Sequence, residues 1–289
     1  MNDQLETSAD IADRARQAIQ IDRMLGIDEI LARPPARPGS EGGHAATMDA
    51  TPVPAPRTRP STPAPEPKPI PDPNDGGGPP RVIAASTTGV GDIDGTTPAE
   101  RLASLKARHD VECQHCSSSD THANTVFGEG APSADLMFIG EAPGAEEDRT
   151  GRPFVGPAGQ KLDEMIKAMG FEREDVYIAN VLKSRPPNNR TPLEHEIASC
   201  SPYLAEQVGI IQPKVIVTLG GPAAKLLLST EKGITRLRGI WGQYQVGSLV
   251  VPVMPTFHPA YLLRNYTHEV RSQVWNDLQS AMKKITEQG

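Results

Sequence analysis

Fifteen prolines fall between Pro34 and Pro80 of this 289-residue chain, and nothing else in it limits the fold so strongly. Proline has no backbone N–H and holds φ near −65°, so a stretch with Pro at nearly alternate positions from Pro52 to Pro73 builds neither helix interior nor sheet ladder. Residues 34–96 therefore read as an extended Pro/Gly-rich linker. Ahead of it, residues 1–33 place apolar side chains such as Ile11, Ile19 and Leu25 at mixed helical spacing. That predicts one short helix in an otherwise disordered tail: a frayed segment without a role, or a docking peptide for a protein partner. The core must then come from residues 97–289. A hydrophobic content of 37% and an aromatic content of 4% agree, being low for a chain folded throughout.

Net charge is −5 over residues 1–97 and −2 over residues 98–289, which by itself marks no nucleic-acid binder. A local basic face is what phosphate binding requires. The sequence contains no apolar run long enough to span a bilayer, and Met1 to Gln20 lack the apolar segment of a signal peptide. Three cysteines, two of them spaced as Cys113-x-x-Cys116, read as metal ligands in a reducing compartment rather than as a disulfide framework. These features predict a cytoplasmic monomer with no membrane partner.

Order begins at Thr97-Pro98-Ala99-Glu100, a capping-box signature that predicts a helix to about His109. Beyond it, apolar runs at Leu136 to Ile139, Val176 to Leu182, Val215 to Leu219 and Leu249 to Pro255 alternate with helical patterns. The helical patterns cover Ala158 to Met169, Leu193 to Ile211, Pro222 to Leu228 and His268 to Ile285. Such alternation predicts an α/β fold: a three-layer α/β/α arrangement around a central, mainly parallel four-stranded sheet. Ligands of such sheets collect at the carboxyl ends of the strands. The polar segments Gly140 to Gly156, Asn180 to Arg190, Gly220-Gly221 and Thr256 to Arg264 should therefore meet at one edge.

Two of these segments carry unusual chemistry. Gly140-Glu141-Ala142-Pro143-Gly144 sets a carboxylate in a tight turn whose backbone can approach a ligand closely, although a turn with solvated acids has the same composition. Thr256-Phe257-His258-Pro259 puts a His beside a Pro-fixed turn, followed by Leu262, Leu263 and Arg264; the plainer reading is a structural His and the first turn of a buried helix.

Read in order, the motifs Gly140 to Gly144 with Glu147-Asp148, Gly151 to Gly156, Tyr177 to Asn180 leading to Arg185-Pro186-Pro187-Asn188-Asn189-Arg190, and His258 to Arg264 resemble the family 4 uracil-DNA glycosylases, over about Val111 to Ile285. The resemblance implies a hydrolase that cleaves uracil from deoxyribose in single- or double-stranded DNA, leaving an abasic site. A flipped base must be read in a pocket. The resemblance assigns Phe154 to stacking on uracil, Asn180 to its O4 and N3–H, and His258 to O2, where negative charge gathers on the leaving group. It places Glu141 and Ala142 beside the base. Related families carry an Asp at the position of Ala142, where it orients water, so here Glu147 becomes the first choice for that task and Asp148 the second. Leu262 matches the wedge that fills the vacated stack. Arg264 and the cluster Lys183, Arg185 and Arg190 are assigned to phosphates, a solvated basic face being the plain alternative.

The resemblance also implies a four-iron, four-sulfur cluster on four cysteines. Cys113, Cys116 and Cys200 match three of them, but Ser184 stands at the fourth. Three thiolates leave one iron without its usual ligand, so the cluster is retained, replaced or absent. With an imidazole from His115 or His122, the cysteines would make a Cys3His zinc set. Two rivals to the hydrolase remain. A glycosylase of the same superfamily that traps the sugar covalently has a basic insertion with a His after the second-strand motif; here Arg190 runs straight into Thr191-Pro192. A non-catalytic DNA-binding module would not need His258, Asn180 and Phe154 together.

Overall fold

The computed structural model describes residues 82–85, 92–118 and 122–288. The expected N-terminal helix and nearly all of the expected linker lie outside these residues.

The elements run β1 (Val82–Ala85), α1 (Pro98–Glu112), α2 (Gln114–Ser118), β2 (Glu129–Gly130), β3 (Leu136–Gly140), α3 (Ala145–Thr150), α4 (Pro157–Ala168), β4 (Tyr177–Asn180), α5 (Glu194–Ile211), β5 (Val215–Leu219), α6 (Gly221–Leu228), α7 (Ile234–Leu237), β6 (Gly242–Val246), β7 (Leu249–Thr256), α8 (Pro259–Arg264) and α9 (His268–Glu287). The cap of α1 forms as its sequence requires: Thr97 Oγ1 accepts from the Glu100 amide at 3.2 Å, and Glu100 Oε2 accepts from the Thr97 amide at 3.0 Å.

One sheet of seven strands, in the order β1-β6-β7-β5-β3-β4-β2, replaces the four-stranded sheet expected from the apolar runs. The four strands read from the sequence lie together as β7-β5-β3-β4 and are mutually parallel. The additional strands make the sheet mixed, since β6 runs antiparallel to β7 and β2 antiparallel to β4. These two escaped notice because β2 is two residues long and β6 reads Gly-Gln-Tyr-Gln-Val, with polar side chains on one face, not an apolar run. The outermost strand, β1, falls inside the stretch that composition assigns to the linker, and pairs in parallel with β6 from Val82 opposite Gln243 to Ala85 opposite Val246.

Alternation along the central strands sorts their side chains onto two cores. Met137, Ile139, Ile216 and Val253 pack with Leu105 of α1 and Leu204 and Val208 of α5. Leu136, Phe138, Val215 and Val217 pack with Leu162 and Ile166 of α4 and Leu278 of α9. Helices thus cover both faces, and each side chain of this size taken fully out of water stabilises the fold by about 1.5–3 kcal/mol. Among the described residues, no helix is long and apolar enough to cross a membrane.

Pairing of β1 sets the boundary for truncation. A chain starting at residue 77 keeps every described strand, so we expect unaltered thermal stability. A chain starting at Thr97 loses β1, uncovers the β6 edge and should melt at a lower temperature. Equal melting temperatures for the two, measured by calorimetry, would show that β1 contributes nothing.

Candidate active site and metal centre

All four strand-end segments predicted to meet do so. Glu141, Phe154, Asn180, Gly220, His258 and Arg264 are among the residues lining a cavity of about 540 Å³ at the carboxyl ends of β3, β4, β5 and β7. That size falls in the usual range for small-molecule sites.

Phe154 forms one wall. It is buried, adopts a left-handed backbone with φ 50°, and its ring lies 5.6 Å from that of His258, tilted by 31°. A Cβ at position 140 would come within 2.6 Å of the Phe154 ring and 2.4 Å of Asn180 Oδ1, so the glycine ending β3 is what admits both side chains. Asn180, the last residue of β4, is 1% exposed, and its Oδ1 has no hydrogen-bond partner. A buried carboxamide oxygen without a donor costs about 1–3 kcal/mol, so this atom is a standing acceptor.

His258 caps α8. Its Nδ1 accepts from the Ala260 amide at 3.1 Å. Burial, reinforced by the Arg264 charge and opposed by Glu147, pushes its pKa down to about 4. At neutral pH the imidazole is therefore uncharged, and because Nδ1 is occupied as an acceptor, the proton resides on Nε2.

The acidic residues divide differently from the sequence expectation. Glu147, first choice for orienting water, is engaged by backbone: Oε1 accepts from the Val155 and Gly156 amides at 2.9 and 3.0 Å, and Oε2 accepts from the Gly144 amide at 3.1 Å. It laces the two ends of the first loop together. Asp148 is likewise occupied, its Oδ1 accepting from the amides of Ala123 and Asn124 at 2.7 and 3.1 Å. Glu141 is the carboxylate left over: it lines the cavity, its side chain makes no hydrogen bond or ion pair among the described residues, and burial raises its pKa. Ala142, beside it, also lines the cavity.

Three further assigned residues have contacts of their own. Leu262 does not face solvent as a wedge; at 2% exposed it packs into the core on the α4 side, and Leu263, at 45%, is the apolar side chain this turn presents. A helical turn that docks one face must offer its next residue outward. Arg190 is committed to Glu196 through paired hydrogen bonds of 2.8 and 2.6 Å, and Lys183 is fully buried, donating to the Asn180 carbonyl at 2.9 Å and to Gln207 Oε1. Burial lowers the Lys183 pKa to about 7, against the opposing effect of the nearby cysteine sulfurs. Lys183 is thereby closed to phosphates, whereas Arg190 stays partly exposed and lines the cavity. Arg185 donates to Asn189 Oδ1 at 2.7 Å, while Arg264, exposed at the cavity rim, pairs with no acid among the described residues.

Away from the cavity, on the α1 and α5 side of the sheet, Cys113 at the end of α1, Cys116 of α2 and Cys200 of α5 converge, all buried and unlinked. The fourth ligand atom there belongs to His109, and the four lie within 4.8 Å of one another. Sequence reasoning overlooked His109, although it stands four residues before Cys113 and so on the same helix face. The two imidazoles considered instead are elsewhere: His115 Nε2 is 3.1 Å from Ser184 Oγ, and His122 is not among the grouped side chains. A four-iron cluster does not fit this donor set, because the whole chain has only three cysteines and the oxygen of Ser184 stands where a fourth thiolate would be needed.

Residues 127–279 match the uracil DNA glycosylase superfamily. Over 191 residues, the chain is 44% identical to the type-4 uracil-DNA glycosylase of Thermotoga maritima, covering 66% of this chain and 98% of that protein. It is 48% identical over 163 residues to the type-4 uracil-DNA glycosylase of Sulfurisphaera tokodaii, covering 54% of this chain and 73% of that protein. To the type-5 uracil-DNA glycosylase of Pyrobaculum aerophilum it is 32% identical over 183 residues, covering 53% of this chain and 80% of that protein.

Proposed function

We infer that this chain, which belongs to the uracil DNA glycosylase superfamily and within it to the type-4 enzymes, is a DNA-repair hydrolase that cuts the bond between uracil and deoxyribose. The observation that carries the reading is that Asn180, buried and with an unpaired Oδ1, lines one cavity together with Phe154 and His258.

A uracil flipped out of DNA stacks on Phe154, gives its N3–H to Asn180 Oδ1 and receives the Asn180 amide at O4. Cytosine inverts the pattern at both atoms. As the glycosidic bond lengthens, negative charge grows on the departing base, and the Nε2–H of His258 meets it at O2. A neutral donor suits this step: it stabilises the anion without needing a proton that a group of pKa about 4 does not hold at pH 7. Water attacks the sugar, and Glu141 orients it, because Glu147 and Asp148 are occupied by backbone amides. Arg264 and Arg190, which both line the cavity, hold phosphates together with Arg185, and Leu263 enters the gap left by the base. No step passes through the cysteine centre. We place the reaction in the cytoplasm, in keeping with three free thiols, and assign it to a single chain, since one chain supplies every loop of the cavity.

The test is release of free uracil from a defined uracil-containing oligonucleotide, followed across pH. Uracil should be released and thymine left in place. The rate should fall as pH drops through the raised pKa of Glu141, since a carboxyl must be ionised to accept a proton from water. Glu141→Gln should remove that acidic limb. No uracil release at any pH would overturn the function; an acidic limb unchanged in Glu141→Gln would return the water-orienting role to another residue.

A further inference from the structure

We propose that His109, Cys113, Cys116 and Cys200 bind a single zinc ion as a tetrahedral Cys3His centre, in place of a four-iron cluster.

The spacing of the sulfurs is the first argument. Cys200 Sγ lies 3.8 Å from Cys113 Sγ and 3.7 Å from Cys116 Sγ. A tetrahedral ion with Zn–S bonds of about 2.3 Å sets its sulfurs about 3.8 Å apart. A cube of four irons and four sulfides stands between its thiolates and holds them much further from one another.

The second argument is His109. Its side chain is completely buried, and Nε2 has no hydrogen-bond partner. An imidazole nitrogen left so in a packed core is unfavourable unless something occupies it. The opposite nitrogen, Nδ1, lies 2.9 Å from Asp110 Oδ1, and that carboxylate is itself held by Thr125 Oγ1 at 2.9 Å and by Lys106. A carboxylate behind the ligating His is the usual support of a zinc-bound imidazole: it fixes the tautomer and turns the free nitrogen toward the metal. The rings of Phe127 and Tyr203, 5.5 and 5.0 Å away, leave His109 little freedom to rotate out.

Ser184 completes the account. Its Oγ lies 3.3 Å from Cys116 Sγ and 3.1 Å from His115 Nε2, so it serves as a hydrogen-bonding neighbour of one ligand. His115 turns its other nitrogen toward Glu196 Oε1 at 3.8 Å. The ion would pin the end of α1 and the start of α2 to the middle of α5, a tie between segments more than eighty residues apart.

Full-length protein, produced with iron and zinc both supplied and purified without oxygen, should contain about one zinc per chain and no acid-labile sulfide. The metal-free protein titrated with Co²⁺ should show the intense visible bands of a tetrahedral sulfur-rich site. His109→Ala should lose stoichiometric zinc. Asp110→Asn, which keeps all four ligands, should weaken zinc binding by about 10- to 100-fold. It decides the matter if His109→Ala fails to fold. Iron accompanied by equal sulfide, no metal at all, or zinc held as tightly by both variants as by the parent protein would each overturn the proposal.

Discussion

His258→Ala is expected to lower the single-turnover rate of uracil release by roughly 10²–10³-fold, the usual consequence of removing one preorganised donor to a developing anion. Affinity for uracil-containing DNA should change little, because the lost bond strengthens only as charge accumulates on the base. The substitution also removes the acceptor that caps α8, worth about 1 kcal/mol of stability. His258→Asn separates the two effects: an Asn side chain still accepts from the Ala260 amide, so stability should return while the rate stays low. Near-normal turnover in either variant would take this side chain out of the reaction.

Asn180→Asp should erode the choice of base. An ionised Asp offers two acceptors, so it repels uracil O4 while welcoming the amino group of cytosine. Two mispaired hydrogen bonds at about 1.4 kcal/mol each reduce the preference for uracil over cytosine by roughly 10²-fold. The measurement is the ratio of kcat/KM on paired oligonucleotides that differ only in the target base. An unchanged ratio would mean that the base is read by some other group. The neighbouring architecture should survive, since the Lys183 ammonium takes the main-chain oxygen of residue 180 and not its side chain.

The fold was legible where burial is two-sided. β5 runs from Val215 to Leu219 as its apolar run predicts, and β3 extends only one residue beyond its run, because central strands with both faces covered must be apolar throughout. β4 is shorter than its run. Val181 and Leu182 leave the ladder, and their amides bond to the carbonyls of Gly140 and Glu141. Edge strands carry no such signature. The hairpin of β6 and β7 did have a local mark, the Gly247-Ser248 loop between Val246 and Leu249, and a search for two-residue turns would have found it.

In the site, main-chain position was readable but side-chain commitment was not. The four loops could be placed at one sheet edge from strand order alone. Whether Arg190 is free depends on Glu196 in the next helix, and whether Lys183 is exposed depends on Gln207, far along the chain. A linear pattern holds no record of such partners. Leu262 and Leu263 are chemically the same, and only the docking of α8 on α4 decides which one the solvent meets.

The left-handed backbone of Phe154 has a thermodynamic consequence. An aromatic residue at φ 50° carries a conformational penalty of about 1–2 kcal/mol. The surroundings hold it there: a Cβ at Gly159 would collide with the Phe154 carbonyl at 2.0 Å, and the lacing by Glu147 closes the loop on the next residue. The penalty is therefore charged once, against the melting temperature, when the chain folds. An incoming base finds the ring already set and spends no affinity on arranging it, so selection for a more heat-resistant chain and selection for faster excision pull in opposite directions at this residue.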